Sequence, residues 1–346
     1  MLRFLASPTA HADHAGAVVR VETIETHMAW VFIAGGAVLK LKKPVRYPFL
    51  DYATPAAREA ACRAEVRLNA RLAPGVYRGL MALQWDGGAL RLVPEAAADP
   101  RAATVDWLVW MHRLPRARML DRLIAQAAVT EADVDALVGV LAPFYRRATV
   151  VAVEPDVYVA RLTAEQATNR ALLLQPGLQP DSVASVVDRF DAALLRHADL
   201  LRARAAAGRI VDGHGDLRPE HVCLLRPPVV IDCLEFNASL RQVDPFDELS
   251  YLGLEADLAG CRWIGPRLVD GVAAALGDHA EPVLLALYTA YRALVRSRLA
   301  LAHLLEPRPR TPERWQPLAR RYLARARAAL DACDATLSPA TRRGTP

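Results

Sequence analysis

Two acidic residues in the middle of the chain have a spacing that suits metal-assisted phosphoryl transfer. Asp216 lies in the polar sequence His-Gly-Asp-Leu-Arg-Pro-Glu-His at 214–221, and Asp232 follows the apolar run 229–231. A loop carboxylate can accept a hydroxyl proton and orient the nucleophile. A carboxylate at the end of a buried strand is costly unless it holds a cation or several donors. The pair therefore predicts a general base and a metal ligand in one site.

Three neighbouring side chains strengthen this interpretation. Arg218 offers a cation to the transferring phosphate, and Glu235 lies close enough in sequence to Asp232 to share its metal. His221 either binds the metal or orients the loop. A lone His-Gly-Asp is a common turn, but the joint pattern of base, cation, metal-capable side chain and strand-end acid is much rarer. We therefore favour a catalytic and metal-binding role for this pattern over the alternative, in which His-Gly-Asp is a chance turn and Asp232 caps the end of a strand.

The elements that must position these residues are of two kinds. The first 95 residues predict strands around one helix, with a hairpin turn at Gly35-Gly36 and another at 86–88. The helix begins at Pro55 and ends before Pro74-Gly75, since its apolar residues have helical spacing. The predicted strands and helix are at 18–22, 29–33, 37–42, 79–84, 89–94 and 55–72.

From about residue 100 the spacing of apolar residues becomes helical. Trp107, Trp110 and Met111 look like one core-facing helical stripe. The predicted helices are near 101–113, 130–148, 160–174 and 181–207, and again from about 244. We expect an α+β architecture of two lobes, a small β-rich one at 1–95 and a larger, mainly helical one at 96–346 that contains the catalytic loop at 212–237.

Composition limits the classes of partner. The 43 basic and 38 acidic residues are spread along all 346 positions, which is weak support for nucleic-acid binding. Five scattered cysteines argue against a disulfide framework and favour a reducing compartment. The N-terminus lacks the apolar core of a signal peptide, and no stretch approaches the roughly 20 apolar residues of a membrane span. We expect a cytoplasmic protein without nucleic-acid or membrane partners; the oligomeric state stays open.

The sequence at 216–221, with the preceding His-Gly, resembles the catalytic loop of the aminoglycoside phosphotransferase and choline kinase group of protein-kinase-like enzymes. The resemblance implies a bilobal kinase-like fold, ATP and Mg²⁺ as cofactors, and a small-molecule acceptor. It implies that Asp216 is the catalytic base, that Arg218 stands where a phosphate-contacting lysine can stand, and that Asp232 binds magnesium. His221 replaces the usual metal-binding asparagine, so it contacts metal, phosphate or the loop itself. Asp247 resembles the family's structural aspartate, which braces the loop.

A kinase-like enzyme also needs a lysine on its third strand and a glutamate on the next helix. Lys40 and Lys42 share one face of the predicted strand because strand side chains alternate, and Lys40 is the preferred phosphate ligand with Lys42 as the alternate. Glu65 lies mid-helix beside Leu68, where its carboxylate can turn inward toward the lysine. These residues form the predicted nucleotide-binding half of the site.

Several segments, among them 25–32, 49–51 and 67–74, resemble a bacterial subgroup of uncharacterised kinase-like proteins, some of which carry an added P-loop ATPase domain. The sequence has no Gly-x-x-x-x-Gly-Lys-Ser/Thr, so we expect that domain to be absent. A Gly-rich phosphate loop is also missing, since Thr26-His27-Met28-Ala29 occupies that turn. Two functions follow: an ATP- and Mg²⁺-dependent phosphotransferase acting on a hydroxyl, or a nucleotide-binding pseudokinase or regulatory module without efficient transfer.

Overall fold

The predicted glycine hairpin forms near the start of the chain. In the computed structural model, which describes residues 1–12, 20–47, 49–178, 183–306, 309 and 311–335, Ala34 pairs with Ala37 and leaves Gly35 and Gly36 as a two-residue loop. Gly35 has a φ of +57°, which glycine adopts at no steric cost. The hairpin joins the two strands that precede the helix carrying Glu65.

Six antiparallel strands form the main sheet, in the order β1-β2-β3-β8-β6-β7. Val18 and Val19, at the start of the first predicted strand, lie outside the described residues. The other strands predicted before residue 95 are confirmed within one or two positions. The strands are β1 Val21–Glu25, β2 Ala29–Ala34, β3 Ala37–Lys42, β6 Tyr77–Trp85, β7 Leu90–Pro94 and β8 Ala103–His112, with β4 Arg46–Tyr47 and β5 Leu50–Asp51 forming a separate short pair.

The helix predicted at 101–113 is wrong, because these residues form β8, which pairs with both β3 and β6. Leu108 packs in the core on one face of the sheet and Val109 in the core on the other. A central strand covered on both faces loses the alternation of apolar and polar residues that identifies a strand in sequence. Trp107 and Trp110 therefore pack on opposite faces rather than along one helical stripe. The sheet continues past residue 95, where we expected the small lobe to end.

The helix α2, Pro55–Asn69, covers the face of the sheet that carries Val109. It begins where the Thr54 side chain accepts a hydrogen bond from the Ala57 backbone N–H at 3.2 Å, with Pro55 in the first turn. Its buried residues recur at three- and four-residue intervals, as expected for a helix packed on one side: Arg58, Ala61, Cys62, Glu65, Leu68 and Asn69.

A buried ion pair joins the N-terminal part of α2 to β8. The Arg58 guanidinium donates to both carboxylate oxygens of Asp106, with its Nη2 atom 2.7 Å from Oδ2. Its Nη1 atom donates to the backbone oxygens of Tyr52 and Ala53. A bidentate pair with these further acceptors compensates the desolvation of both charges. The contact fixes the position of α2 on the sheet and, with it, the position of Glu65.

The remaining elements are mostly helices. The chain forms two compact units. The first consists of Met1–Leu123, His214–Asp216 and Glu220–Arg241, and the second of Ile124–Gly213, Leu217–Pro219 and Gln242–Pro346. The predicted helix at 181–207 is two helices, α6 and α7, separated at His197. The helices and short strands are α1 Leu2–Leu5, α3 Leu120–Ala125, α4 Glu131–Arg147, α5 Pro155–Leu173, α6 Val183–Arg196, α7 Ala198–Ala206, β9 Val211–Asp212, β10 Val222–Cys223, β11 Val229–Val230, β12 Gln242–Val243, α8 Pro245–Leu258, α9 Ile264–Leu276, α10 Pro282–Ala302 and α11 Pro312–Ala335.

The α+β class predicted from the sequence is confirmed, with an antiparallel sheet in the N-terminal part of the chain and helices in the C-terminal part. All five cysteines are free thiols, as their odd number and scattered positions predicted. Across the residues that the structure describes, no helix combines the length and apolar character needed to cross a membrane.

The Arg58–Asp106 pair predicts a stability effect. Arg58→Met leaves the Asp106 carboxylate buried without its cation, so we expect the free energy of unfolding to fall by about 3–5 kcal/mol in urea denaturation. A double variant with Asp106→Leu should recover most of this loss, because no buried charge remains. Arg63→Met on the same helix is the control, since Arg63 is 47% exposed and pairs with Glu59 and Glu95 at the surface; it should cost about 1 kcal/mol or less. Equal losses for the two single variants would contradict the prediction.

Candidate active site

The two lysines of β3 share one glutamate of α2. The Lys40 Nζ atom lies 3.0 Å from Glu65 Oε1, and the Lys42 Nζ atom lies 2.6 Å from Glu65 Oε2. Glu65 is completely buried, which an acid tolerates when each carboxylate oxygen faces an ammonium group. The structure therefore brings together the three residues that the sequence predicted for the nucleotide half of the site.

Lys40 also contacts the predicted metal ligand. Its Nζ atom lies 2.6 Å from Asp232 Oδ1, and the Asp232 side chain is 44% exposed. Burial would lower the pKa of Lys40, but Asp232, Glu65 and Glu235 outweigh it and raise the pKa well above its ordinary value. Burial would raise the pKa of Asp232, but Lys40 and His221 outweigh it and hold the pKa far below its usual range. Both groups are charged at neutral pH.

Asp232 follows β11 in an uncommon backbone conformation. Its φ is +64°, in the left-handed region that few residues other than glycine, asparagine and aspartate adopt. Its backbone N–H donates to the Tyr77 hydroxyl at 3.2 Å. The preceding hairpin of β10 and β11 packs against residues that follow α2, and the Val230 N–H donates to the Leu72 carbonyl at 3.1 Å. These contacts hold the Asp232 segment against the rest of the unit to which Lys40 also belongs.

His214 connects the two predicted acids. Its Nδ1 atom accepts a hydrogen bond from the Asp216 N–H at 3.2 Å, so the ring proton lies on Nε2, which donates to the Ile231 carbonyl at 3.0 Å. The His214 carbonyl accepts from the Leu234 N–H at 3.1 Å. Burial lowers the pKa of His214 to about 4, so the imidazole is neutral at pH 7. One buried ring thus holds the Asp216 loop against the residues on either side of Asp232.

Gly215, between His214 and Asp216, is required for two reasons. Its φ is +87°, and a Cβ atom added there would lie 3.0 Å from Leu234 Cδ1 and 3.1 Å from the Leu240 backbone oxygen. Any side chain would therefore push the loop away from the segment that follows Asp232. Gly215 therefore allows the loop of Asp216 to pack closely against the segment that follows Asp232.

His221 lies between Asp216 and Asp232. Its Nδ1 atom is 2.8 Å from the Asp216 backbone oxygen and 3.7 Å from Asp216 Oδ2, and its Nε2 atom is 3.6 Å from Asp232 Oδ2. The sequence left open whether His221 contacts metal, phosphate or the loop. In the structure, His221 lies beside the Asp216 loop and beside Asp232, the predicted metal ligand.

Glu235 contacts Lys42 rather than Lys40. Its Oε1 atom accepts hydrogen bonds from the Lys42 ammonium and, at 2.5 Å, from the Tyr52 hydroxyl. Burial would raise the pKa of Glu235, but Lys42 and Lys40 outweigh it and lower the pKa. The sequence predicted that Glu235 shares the metal of Asp232, but one of its two carboxylate oxygens is occupied by these contacts. Metal binding by Glu235 stays a prediction. The contacts of Oε1 with Lys42 and Tyr52 do not favour it.

Sequence reasoning missed three residues that hold this network together. Asn69, one helical turn after Glu65, donates to the Glu65 carbonyl at 2.9 Å and accepts from the Cys233 N–H at 2.9 Å. It joins α2 directly to the residue after Asp232. Its signal was available, because it lies four positions after Glu65 on the same helix face. Tyr52 and Tyr77 gave no such signal, since their partners are distant in sequence.

Two predicted residues belong to the second unit. Arg218 is half-buried there, and its catalytic role stays a prediction. Asp247 forms a bidentate ion pair with Arg292, with distances of 2.7 and 2.6 Å. Burial would lower the pKa of Arg292, but Asp247 outweighs it and raises the pKa. The described contact of Asp247 is therefore a structural one, as expected for a residue that is not a reactant.

The turn that replaces a Gly-rich loop is closed by its own threonine. The Thr26 hydroxyl accepts from the Ala29 N–H at 2.9 Å and lies 3.0 Å from the Ala29 carbonyl, while the Thr26 N–H donates to the same carbonyl. The Thr26 hydroxyl thus takes part in the turn itself.

Comparison with family models gave no match for this chain. Comparison with curated proteins gave uncharacterised proteins of Mycobacterium tuberculosis and Mycobacterium bovis, 30% identical over 294 residues. The match covers 84% of this chain and 56% of the relatives, so the chain spans about half the length of the curated relatives it matches.

Solved structures of choline and ethanolamine kinases have the same fold. A choline/ethanolamine kinase family protein from Mesorhizobium loti gives a TM-score of 0.54 at 16% identity, covering 94% of this chain and 97% of that one. A choline kinase from Streptococcus pneumoniae gives 0.53 at 11% identity, covering 96% and 99%, and an ethanolamine kinase from Plasmodium vivax gives 0.52 at 8% identity, covering 93% and 86%. The chain therefore has the protein-kinase-like fold of the choline and ethanolamine kinases, as the resemblance of its catalytic loop predicted.

Proposed function

We propose that this protein is an ATP- and Mg²⁺-dependent phosphotransferase that transfers the γ-phosphate to a hydroxyl of a small molecule. The observation that carries the proposal is one continuous network of contacts within one unit, running from Glu65 through Lys40 to Asp232 and through His221 to Asp216. Phosphoryl transfer needs a phosphate-binding cation, a metal ligand and a base near one another. This network provides all three.

The face of the sheet that carries Lys40 suits a nucleotide base. Cross-strand partners share a face, and the register pairs Lys40 with Val31, and Val38 with both Ile33 and Met111. These four apolar side chains are half-buried. Apolar surface beside a cation is the combination that a base with its attached phosphates requires. Lys40, 17% exposed, is then the phosphate ligand.

The donor set beside Asp232 fits a divalent cation. The atoms that face each other there are Asp232 Oδ2 and His221 Nε2, while Asp232 Oδ1 accepts from Lys40. A divalent ion bound there would neutralise charge on the transferring phosphate. The negative charge of Asp232 persists at neutral pH, because the Lys40 ammonium keeps its pKa low against the effect of burial.

Asp216 is the group that would activate the acceptor. As the acceptor oxygen forms a bond to the γ-phosphorus and the bond from that phosphorus to the leaving ADP oxygen breaks, the hydroxyl proton passes to the Asp216 carboxylate. His214 and Gly215 fix the backbone of this residue, and its side chain is partly exposed. Since the fold is that of choline and ethanolamine kinases, amino alcohols are the first acceptors to test.

The two acids predict different losses. We expect Asp216→Asn to lower kcat by about 10²–10⁴-fold with nucleotide binding retained, because it removes only the base. Asp232→Asn should weaken binding of ATP in the presence of Mg²⁺, because it removes a charged metal ligand. The kcat of Asp216→Asn is measured by ADP release over a panel of amino alcohols, aminoglycosides and sugars. The ATP affinity of Asp232→Asn is measured by titration calorimetry.

Two results would contradict the proposed function. One is turnover by Asp216→Asn at the rate of the unchanged protein. The other is ATP binding without turnover of any acceptor, which would instead support the nucleotide-binding module. Asp188→Asn is a matched control, since Asp188 lies at the surface, where it pairs with Arg170, and belongs to the second unit.

Lys40 and Lys42 should differ in what their loss affects. Lys42 is 1% exposed and neutralises two buried acids, Glu65 and Glu235. We expect Lys42→Met to lower the free energy of unfolding by about 3–5 kcal/mol, and Glu235→Gln in the same protein to recover part of it. Lys40→Met should weaken ATP binding with a smaller effect on stability, because Lys42 remains beside Glu65 and Asp232 is open to water. Urea denaturation measures the stability of each variant, and calorimetry measures its ATP binding. If Lys42→Met weakened ATP binding and Lys40→Met lowered stability, Lys42 would be the phosphate ligand.

A further inference from the structure

The position of the ring proton on His221 decides which nitrogen can bind a metal. Nδ1 lies 2.8 Å from the Asp216 carbonyl oxygen, which can only accept a hydrogen bond. The proton of the neutral ring is therefore on Nδ1, and the lone pair is on Nε2. A histidine that donates from one nitrogen to a fixed acceptor and presents the other to a metal is the usual arrangement in metal sites.

The Nε2 atom faces a carboxylate oxygen at a distance that suits a bridging ion. It lies 3.6 Å from Asp232 Oδ2, beyond the range of a hydrogen bond and within the ~4.2 Å that two metal–ligand bonds of about 2.1 Å can span. The other oxygen of Asp232 already accepts from Lys40 at 2.6 Å. The Asp232 side chain is 44% exposed, so the oxygen and nitrogen pair can be reached from solvent.

The neighbouring imidazole is not a second ligand. His214 uses Nδ1 to accept from the Asp216 N–H and Nε2 to contact the Ile231 carbonyl, and the ring is 1% exposed. His221 is thus the nitrogen ligand that the described contacts support, and Asp232 the oxygen ligand.

We propose that His221 Nε2 and Asp232 Oδ2 form a mixed nitrogen and oxygen site that binds first-row transition-metal dications in preference to Mg²⁺, and that Mn²⁺ can serve as the paramagnetic probe of this site. Mg²⁺ prefers oxygen ligands, whereas imidazole is a good ligand for the softer first-row ions. The inference deepens the proposed function, on which it rests for the bound nucleotide. It adds the class of metal ion that the His221 imidazole favours.

Pulsed electron paramagnetic resonance tests the ligand directly. Protein labelled with ¹⁵N only in histidine is mixed with Mn²⁺ and ADP, so that any ¹⁵N coupling to the ion comes from a histidine and not from the purine. We expect ¹⁵N coupling in the unchanged protein and none in His221→Asn. His279→Asn, which removes an exposed imidazole in the second unit, is the matched control and should keep the signal.

Titration calorimetry tests the preference. We expect His221→Asn, which offers an oxygen instead of a nitrogen, to reduce the ratio of Mn²⁺ affinity to Mg²⁺ affinity by about tenfold, equivalent to about 1.4 kcal/mol. His221→Gln supplies the same amide on a longer side chain and should act in the same direction, in case the asparagine variant does not fold.

The results separate this inference from the proposed function. Mn²⁺ bound with ADP to the unchanged protein without ¹⁵N coupling would overturn the inference, even if Mg²⁺-dependent transfer is found. ¹⁵N coupling with Mn²⁺ alone, in a protein that transfers no phosphate to any acceptor, would support the metal site and contradict the phosphotransferase.

Discussion

The candidate site depends on the attraction between opposite charges, most of them buried, at the lysine face of the sheet. Two ammonium groups, on Lys40 and Lys42, face three carboxylates, on Glu65, Asp232 and Glu235. The buried charges of Lys42, Glu65 and Glu235 would each be costly without a partner, so the removal of one destabilises the others. The charges therefore act as a unit that keeps α2, β3 and the segment after β11 in one arrangement. The proposed chemistry and the local fold depend on the same contacts.

Uncharged groups then set the distances within that arrangement. Asn69 joins α2 to the backbone after Asp232, and His214 joins the Asp216 loop to the backbone on both sides of Asp232. Buried polar groups with both donors and acceptors satisfied specify one geometry more strictly than apolar contacts do. The proposed phosphoryl transfer would gain from this, because positioning supplies much of the catalysis of that reaction.

Much of the site could be predicted from the sequence, because its parts lie in short local patterns. The loop of Asp216, the strand-end position of Asp232 and the alternation that puts Lys40 and Lys42 on one face are all visible within a few residues. The contacts of Glu235 could not be predicted, since they depend on Tyr52 and Lys42, which approach it only in the folded chain. The strand at 103–112 was mistaken for a helix because burial on both faces removes its alternation.

The left-handed backbone of Asp232 affects how this protein can change over evolutionary time. A position with a φ of +64° accepts asparagine or glycine far more readily than alanine, valine or leucine. A descendant that loses the proposed metal ligand while it keeps its fold is therefore expected to carry asparagine or glycine here. Among relatives of this chain, those two residues would mark loss of the proposed chemistry, whereas a bulkier residue would mark a loop with a different backbone conformation.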